Sequence, residues 1–346
     1  MLAPPIIPAA VSPMLAGVLF IWLLGIIFWS AFGVVHEAEE IAEILGEPFG
    51  TLVLTLSIVV IEVALISAVM LSSKAVPTLG RDTMFAVLMI VLNGVVGLGL
   101  LIGGLRHHQQ SFNLQGASAY LVVTIPLAVI ALVLPNFTTS SSGGTLSSTQ
   151  AALFSLLTIA LYGIFLWLQT GRHRGFFQAA GSVAQDASHL PHGAKPGSLK
   201  RHIALLLVSI LPIVILSKSL AKLLDAGIEA LAAPTALGGI IIAMIVFTPE
   251  GISALRAVAA NQLTRAINLC LGAAASTLGL TVPAVLVIGL ISDQDVVLGL
   301  SSANMVLLSA TLVLNGITFS GARTTMLEGA VHLSLFAVFL ILVFSP

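Results

Sequence analysis

The chain has 346 residues, 58% of them hydrophobic and only 8% charged, with a formal net charge of −1. Soluble domains average about 25% charged residues, so this composition excludes a soluble globule and indicates a polytopic membrane protein. So small a net charge offers nothing to nucleic acid or to an anionic lipid surface, and the single cysteine, Cys270 in an apolar run, excludes intrachain disulfides and multi-cysteine zinc sites.

The opening MLAPPIIPAA carries no Lys or Arg, which argues against a secretory signal and for a first apolar run that stays as a helix. Stretches long enough to span a bilayer follow at 13–35, 49–72, 82–104, 118–135 and 150–170, then at 202–221, 235–258, 264–291, 301–320 and 323–344. The expected fold is an all-α integral membrane protein of about ten transmembrane helices, with membrane lipid as its surroundings. A Ser/Thr/Gly stretch at 138–149 reads as an exposed loop. The longest polar gap, 171–201, reads as a flexible linker between two five-helix halves, 1–170 and 202–346. Five is odd, so related halves enter the membrane in opposite directions, as inverted repeats do.

Orientation follows from the basic residues. Arg106, Arg172, Arg174, Lys195, Lys200, Arg201, Arg256, Arg265 and Arg323 collect on one side, against Lys74, Arg81, Lys218 and Lys222 on the other. The first side is expected in the cytoplasm, with both termini outside an inner membrane. Arg81 with Asp82, and Arg265, are expected to anchor helix starts at the interface.

Two lone carboxylates lie deep in apolar runs. Glu62 and Glu250 each follow a glycine, Gly50 and Gly238, by twelve residues. A charge at bilayer depth is disfavoured by about 2.5–3.5 kcal/mol, so an intramembrane Glu marks a functional site by default. Superposing the two, with a four-residue gap, sets Arg81 on Arg265, Asn93 opposite Thr277 and Leu92 opposite Ser276. Two acids at repeat-equivalent positions point to one shared cation site. Thr55 and Ser57 precede Glu62; Thr248 and Pro249 precede Glu250, where proline frees the Ile245 carbonyl. Carboxylate and carbonyl oxygens suit a hard cation. Burial and mutual repulsion also favour a proton on one of the pair. Cation and proton in exclusive occupancy is the physical core of antiport.

HEAEEIAEILGEPFGTLVLTLSIVVIEVALIS resembles the first repeat of the cation/calcium exchanger superfamily, closest to the bacterial calcium/proton antiporters. TPEGISALRAVAANQLTRAINLCLGAAASTLGLTVP resembles the second repeat, and GARTTMLEGAVHL the last-helix signature. The resemblance covers nearly the whole chain. It implies a membrane antiporter, not an enzyme, with no cofactor, in which Glu62 and Glu250 are the central cation and proton carboxylates. Calcium is the leading cargo, exported against entering protons, with sodium or potassium as the alternative. Ser57, Thr248, Asn93, Ser276 and Thr277 are secondary ligand candidates. Departures matter: the positions at which many exchangers carry Asn are Val59 and Phe247, and the serines usual near Asn93 are Met89 and Leu92. Calcium takes about 6–8 oxygens, so a site poor in polar side chains keeps sodium and potassium open.

Glu39 and Glu40 match an acidic pair of the exchangers, and with His36 and Glu43 they are expected at a cytoplasmic mouth; Glu37 and Glu47 complete the acidic stretch. A different-class reading makes the chain an intramembrane metal enzyme using His36, Glu37 and Glu40, and a passive cation channel is a third. Asn261 and Gln262 lie at the same mouth. Glu328 is expected to partner an interfacial charge, with His332, one turn on, as its candidate partner.

Overall fold

The computed structural model describes residues 12–45, 49–71, 76–178, 196–321 and 323–345. The expected positions of Glu47, Lys74 and Lys195 therefore fall outside the described residues. In hydrocarbon every backbone polar group must be satisfied within its own segment, so apolar runs of this length fold as helices. The first half holds α1 (Pro13–Leu45), α2 (Phe49–Met70), α3 (Leu79–Met89), α4 (Val96–His107), α5 (Leu114–Ala128) and α6 (Ser148–Thr170). The second holds α7 (Pro196–Ala230), α8 (Ala236–Ala259), α9 (Leu263–Ser276), α10 (Val282–Ser292), α11 (Ser302–Thr318) and α12 (Met326–Phe344).

A π-turn over Ile90–Val95 joins α3 to α4 into one rod, Leu79–His107; another over Thr277–Thr281 joins α9 to α10 into Leu263–Ser292. Among the described residues each half has five rods; these two π-turns fall in the third of each, and a further π-turn over Val129–Val133 extends α5. Among the described residues nine helices are long and apolar enough to cross a membrane, and Ser302–Thr318 is a shorter tenth. Exposed Trp22, Trp29, Leu153, Leu156 and Val306 face outward, as a lipid-bathed bundle requires.

The halves interlock by inverted pairing. Gln110–Ser111, after the third rod of the first half, forms an antiparallel pair with Arg323–Thr324, before the last helix of the second. Thr145, before the last helix of the first half, bridges Val297, after the third rod of the second. The stretch 138–149 is largely exposed, as expected, and is tied down at Gly144, whose carbonyl accepts from the backbone N–H groups of Leu298 and Gly299. Helix α2 packs on the rod α9–α10 and α8 on the rod α3–α4, while α1 and α7, the first helices of each half, run along each other. The fifth helices follow suit, with α6 on α10 and α12 on α4. The last pair approaches closely at Gly97, where a Cβ would stand 2.9 Å from that of His332.

Two boundaries differ from the sequence reading. Helix α7 starts at Pro196, inside the expected linker, and runs unbroken through Pro212. Residues 171–178 are also docked: Asn113 Nδ2 donates to the Gly175 and Gln178 carbonyls, and Asn268 Nδ2 to that of Phe177 at 2.6 Å. The Phe177 ring stacks edge-on against Tyr120 and Phe165. Two amides and an aromatic slot outweigh the polarity of the stretch.

Candidate cation-binding site

Glu62 on α2 and Glu250 on α8 are both buried and lie within electrostatic range of each other. They meet because each helix crosses the π-turned rod of the opposite half. At the second π-turn Thr277 and Thr281, four residues apart, project to the same side. Both hydroxyls donate to Glu62 Oε2, at 3.1 and 2.8 Å. Glu62 Oε1 has no hydrogen-bond partner, and neither has Glu250 Oε2. Two orphaned carboxylate oxygens in one buried region are costly, since unpaired buried polar atoms lose about 1–3 kcal/mol each, and they mark a candidate site.

The environments of the two acids are unequal. Glu62 is 0% exposed and Glu250 7%, and that remainder opens onto a small apolar cavity lined by Val91, Val95, Phe247, Cys270 and Ala273. A second cavity, sharing Val95 and Cys270, continues to Leu263 beside the α8–α9 connection. These cavities reach the pair on its Glu250 side. Helix α8 continues through Pro249, which has no N–H to give the Ile245 carbonyl.

Of the secondary candidates, only Thr277 touches a central carboxylate. Ser276 is buried one position away and donates to the Ala273 carbonyl at 3.0 Å. Ser57 and Thr248 are corrections. Ser57 lies five residues before Glu62 and donates to the Val53 carbonyl; Thr248, two residues before Glu250, donates to that of Met244. At about 3.6 residues per turn neither offset shares a face with its Glu. Asn93 is a third correction. Its amide donates to Thr311 Oγ1 at 2.8 Å, and its carbonyl oxygen lies 3.1 Å from His332 Nδ1, so it faces α11 and α12 instead of Glu250. His332 is therefore no partner of Glu328 by hydrogen bonding: Nε2 meets Thr318 Oγ1 at 3.0 Å, while Glu328 closes a capping box with Thr325.

The acidic stretch is helical within α1. Glu39 is half-buried and within electrostatic range of Glu250; Glu40 is half-buried, and His36 and Glu43 are exposed. Glu37 pairs with His202 of α7 at 2.7 Å, which removes it from any centre with His36 and Glu40. No group of three or more metal-ligating side chains occurs among the described residues. Asn261 binds inward, accepting from Gln110 Nε2 at 3.0 Å. Arg81 holds Asp82 at 2.8 Å and donates to the Gly299 carbonyl at 2.9 Å, as an anchored helix start should.

Sequence reasoning missed Thr281, Tyr162 and His202. The spacing Thr277–Thr281 carried the signal for the first. Tyr162, on α6, is buried, within hydrogen-bonding reach of Ser276 and in electrostatic range of Glu250; nothing along the chain links it to them.

A family profile described as sodium/calcium exchanger protein matches residues 15–171 and 201–345. The chain is 40% identical over 340 residues to a putative ionic transporter, y4hA, of Sinorhizobium fredii, covering 98% of this chain and 92% of the relative. It is 39% identical over 335 residues to the sodium-potassium/proton antiporter ChaA of Escherichia coli, covering 96% and 90%. Among solved structures it is similar to the Ca2+/H+ antiporter protein YfkE, with a TM-score of 0.75 at 19% identity, covering 96% of this chain and 93% of that one.

Proposed function

The chain belongs to the sodium/calcium exchanger protein family, and from that membership and the paired carboxylates we propose that it exchanges a monovalent cation, sodium or potassium, for protons. One observation carries the reading: Glu62 Oε1 and Glu250 Oε2 are buried, unpartnered and close enough to feel each other's charge. Two anionic carboxylates repel strongly in a medium of low dielectric, so the pair is stable only with a proton or a cation between its oxygens. Either occupant excludes the other. Binding from the cavity side at Glu250 displaces the proton, the core then rocks to expose the pair to the opposite face, and a proton returns. In this reading residues 1–170 and 202–346 are the two repeats, extended inward by the first turns of α7, with the docked strap and the rest of 171–201 on the cytoplasmic side and both termini outside.

Sodium or potassium moves ahead of calcium for a physical reason. The side chains at the pair supply four carboxylate oxygens and the hydroxyls of Thr277 and Thr281, whereas Val59 and Phe247 are buried and apolar where exchangers of this resemblance carry amides. Calcium takes about 6–8 oxygens, so these six reach only the lower end of its range. The sodium-potassium/proton antiporter at 39% identity supports the same choice. Calcium stands as the second reading because Glu39 brings a third carboxylate within electrostatic range of Glu250.

The test is cation-dependent proton movement in everted vesicles from cells lacking their own antiporters. Sodium and potassium are expected to release protons from an acidified interior, with Glu62→Gln and Glu250→Gln inactive. Calcium as the most effective cation would favour the second reading. Exchange surviving both substitutions would refute the site.

A further inference from the structure

The cavity that continues from Glu250 toward the α8–α9 connection has apolar walls, Val95, Gly99, Leu255, Val258, Leu263 and Phe319 among them. On α4 the wall is a glycine at Gly99, and four residues on, along the same face, stands another, Gly103. The space beside Gly103 is taken by the side chain of Gln110. A Cβ on Gly103 would overlap Gln110 Oε1, and would stand 2.9 Å from Gln110 Cδ and 3.1 Å from Val258 Cγ1. The carboxamide thus fills the groove between α4 and α8 one turn beyond the cavity, against Val258, which lines it.

Local structure holds Gln110 in that place. Its backbone belongs to the antiparallel pair with Thr324 that joins the two halves. Nε2 donates to the Val258 carbonyl at 3.0 Å and to Asn261 Oδ1 at 3.0 Å. A backbone carbonyl only accepts, so the orientation of the amide is fixed, with nitrogen toward the end of α8 and oxygen toward Gly103. His107 Nε2, 3.2 Å from the Ala259 carbonyl, is a second tie between the last turns of α4 and α8. The oxygen is left over: Gln110 is 2% exposed, and Oε1 has no hydrogen-bond partner. A buried acceptor without a partner is destabilised where it lies, and it regains a partner on moving out to water or to an arriving cation. An apolar side chain of the same length would fill the groove without that penalty.

We infer that Gln110 is a positioning residue of the cation path: its carboxamide stops the end of the cavity that leads to Glu250, and its withdrawal admits the cation. What the path serves rests on the paired-carboxylate reading; that the carboxamide closes it rests on the contacts around Gly103. Because Nε2 is tied to the end of α8, a displacement of α8 relative to α4 draws the stopper out of the groove, so closure is coupled to the rocking of the core.

Cys270 supplies the readout, being the only cysteine of the chain, buried, and part of the wall of both cavities. Full-length wild type, Gln110→Ala, Gln110→Met and, as a blank, Cys270→Ser are treated with a cationic methanethiosulfonate that does not cross the bilayer. Everted and right-side-out vesicles present the two faces in turn. Gln110→Ala is expected to be modified about tenfold faster than wild type, from one face only, because thiol reactivity follows access. Gln110→Met refills the groove with an unbranched apolar side chain and is expected to stay within about twofold of wild type. Equal rates in wild type and Gln110→Ala overturn the inference. Modification of Gln110→Ala from both faces, or of Gln110→Met as fast as Gln110→Ala, is what a loosened bundle would give, and either overturns it too. Labelling reads access and not exchange, so the two readings fail separately. Exchange surviving in Glu250→Gln would remove the carboxylate reading, and with it the purpose given to the stopper, whatever the labelling shows.

Discussion

Glu62 and Glu250 stand at matched positions on α2 and α8, yet the π-turned rods that face them treat them differently. At the second rod, Thr277 and Thr281 both donate to Glu62. The repeat alignment puts Asn93 at the place of Thr277 and Gly97 at that of Thr281. Neither serves Glu250. Asn93 is bound to Thr311 and His332, and Gly97 lets α12 approach α4. An inverted repeat thus preserves the path of the helices and the place of the acid, but not the ligands around it. Each half has used its third rod for a different purpose: one cradles a carboxylate, the other locks the last helix to the core.

The comparison can be broken or sharpened in order of effect. Glu62→Gln keeps the shape of the cradled acid and removes its charge, and exchange is expected to fall to background in the vesicle assay. Gly97→Ala places a methyl group against His332 and is expected to cost about 1–3 kcal/mol of stability, read as a lowered Tm in detergent. A stable Gly97→Ala would mean that the α4–α12 contact is looser than described. His332→Leu strips partners from the buried Asn93 carbonyl oxygen and the Thr318 hydroxyl, a loss of about 1–3 kcal/mol, while half-saturating sodium stays within about twofold. A large change in cation affinity there would instead put Asn93 in the site. Thr281→Val removes one hydroxyl from Glu62 at nearly constant volume and is expected to raise half-saturating sodium about tenfold, equivalent to about 1.4 kcal/mol. Thr325→Ala, which opens the capping box of α12, should lower stability by about 1 kcal/mol and leave transport unaltered.

Much of this was legible along the chain. Ten apolar runs became ten rods because the bilayer admits no other use for them, and two acids in those runs were conspicuous for the same reason. The gap at 171–201 was read by composition alone, which has no term for Asn113 and Asn268 waiting to bind the carbonyls of its first residues. The polar neighbours of the acids were read by proximity in sequence, and that rule chose Ser57 and Thr248, whose offsets turn them to other faces. It passed over Thr281, whose spacing from Thr277 was a usable signal, and Tyr162, which had none.

The sequence by itself determined the spanning helices, their grouping into two halves and the two acids, because hydrophobic length and charge in an apolar run are properties of one segment at a time. Only the tertiary structure decided which oxygens surround those acids. The polar surroundings of Glu62 are set where α2 crosses a π-turn of the opposite half, and the direction of a side chain there depends on the extra residue that the turn inserts into its helix.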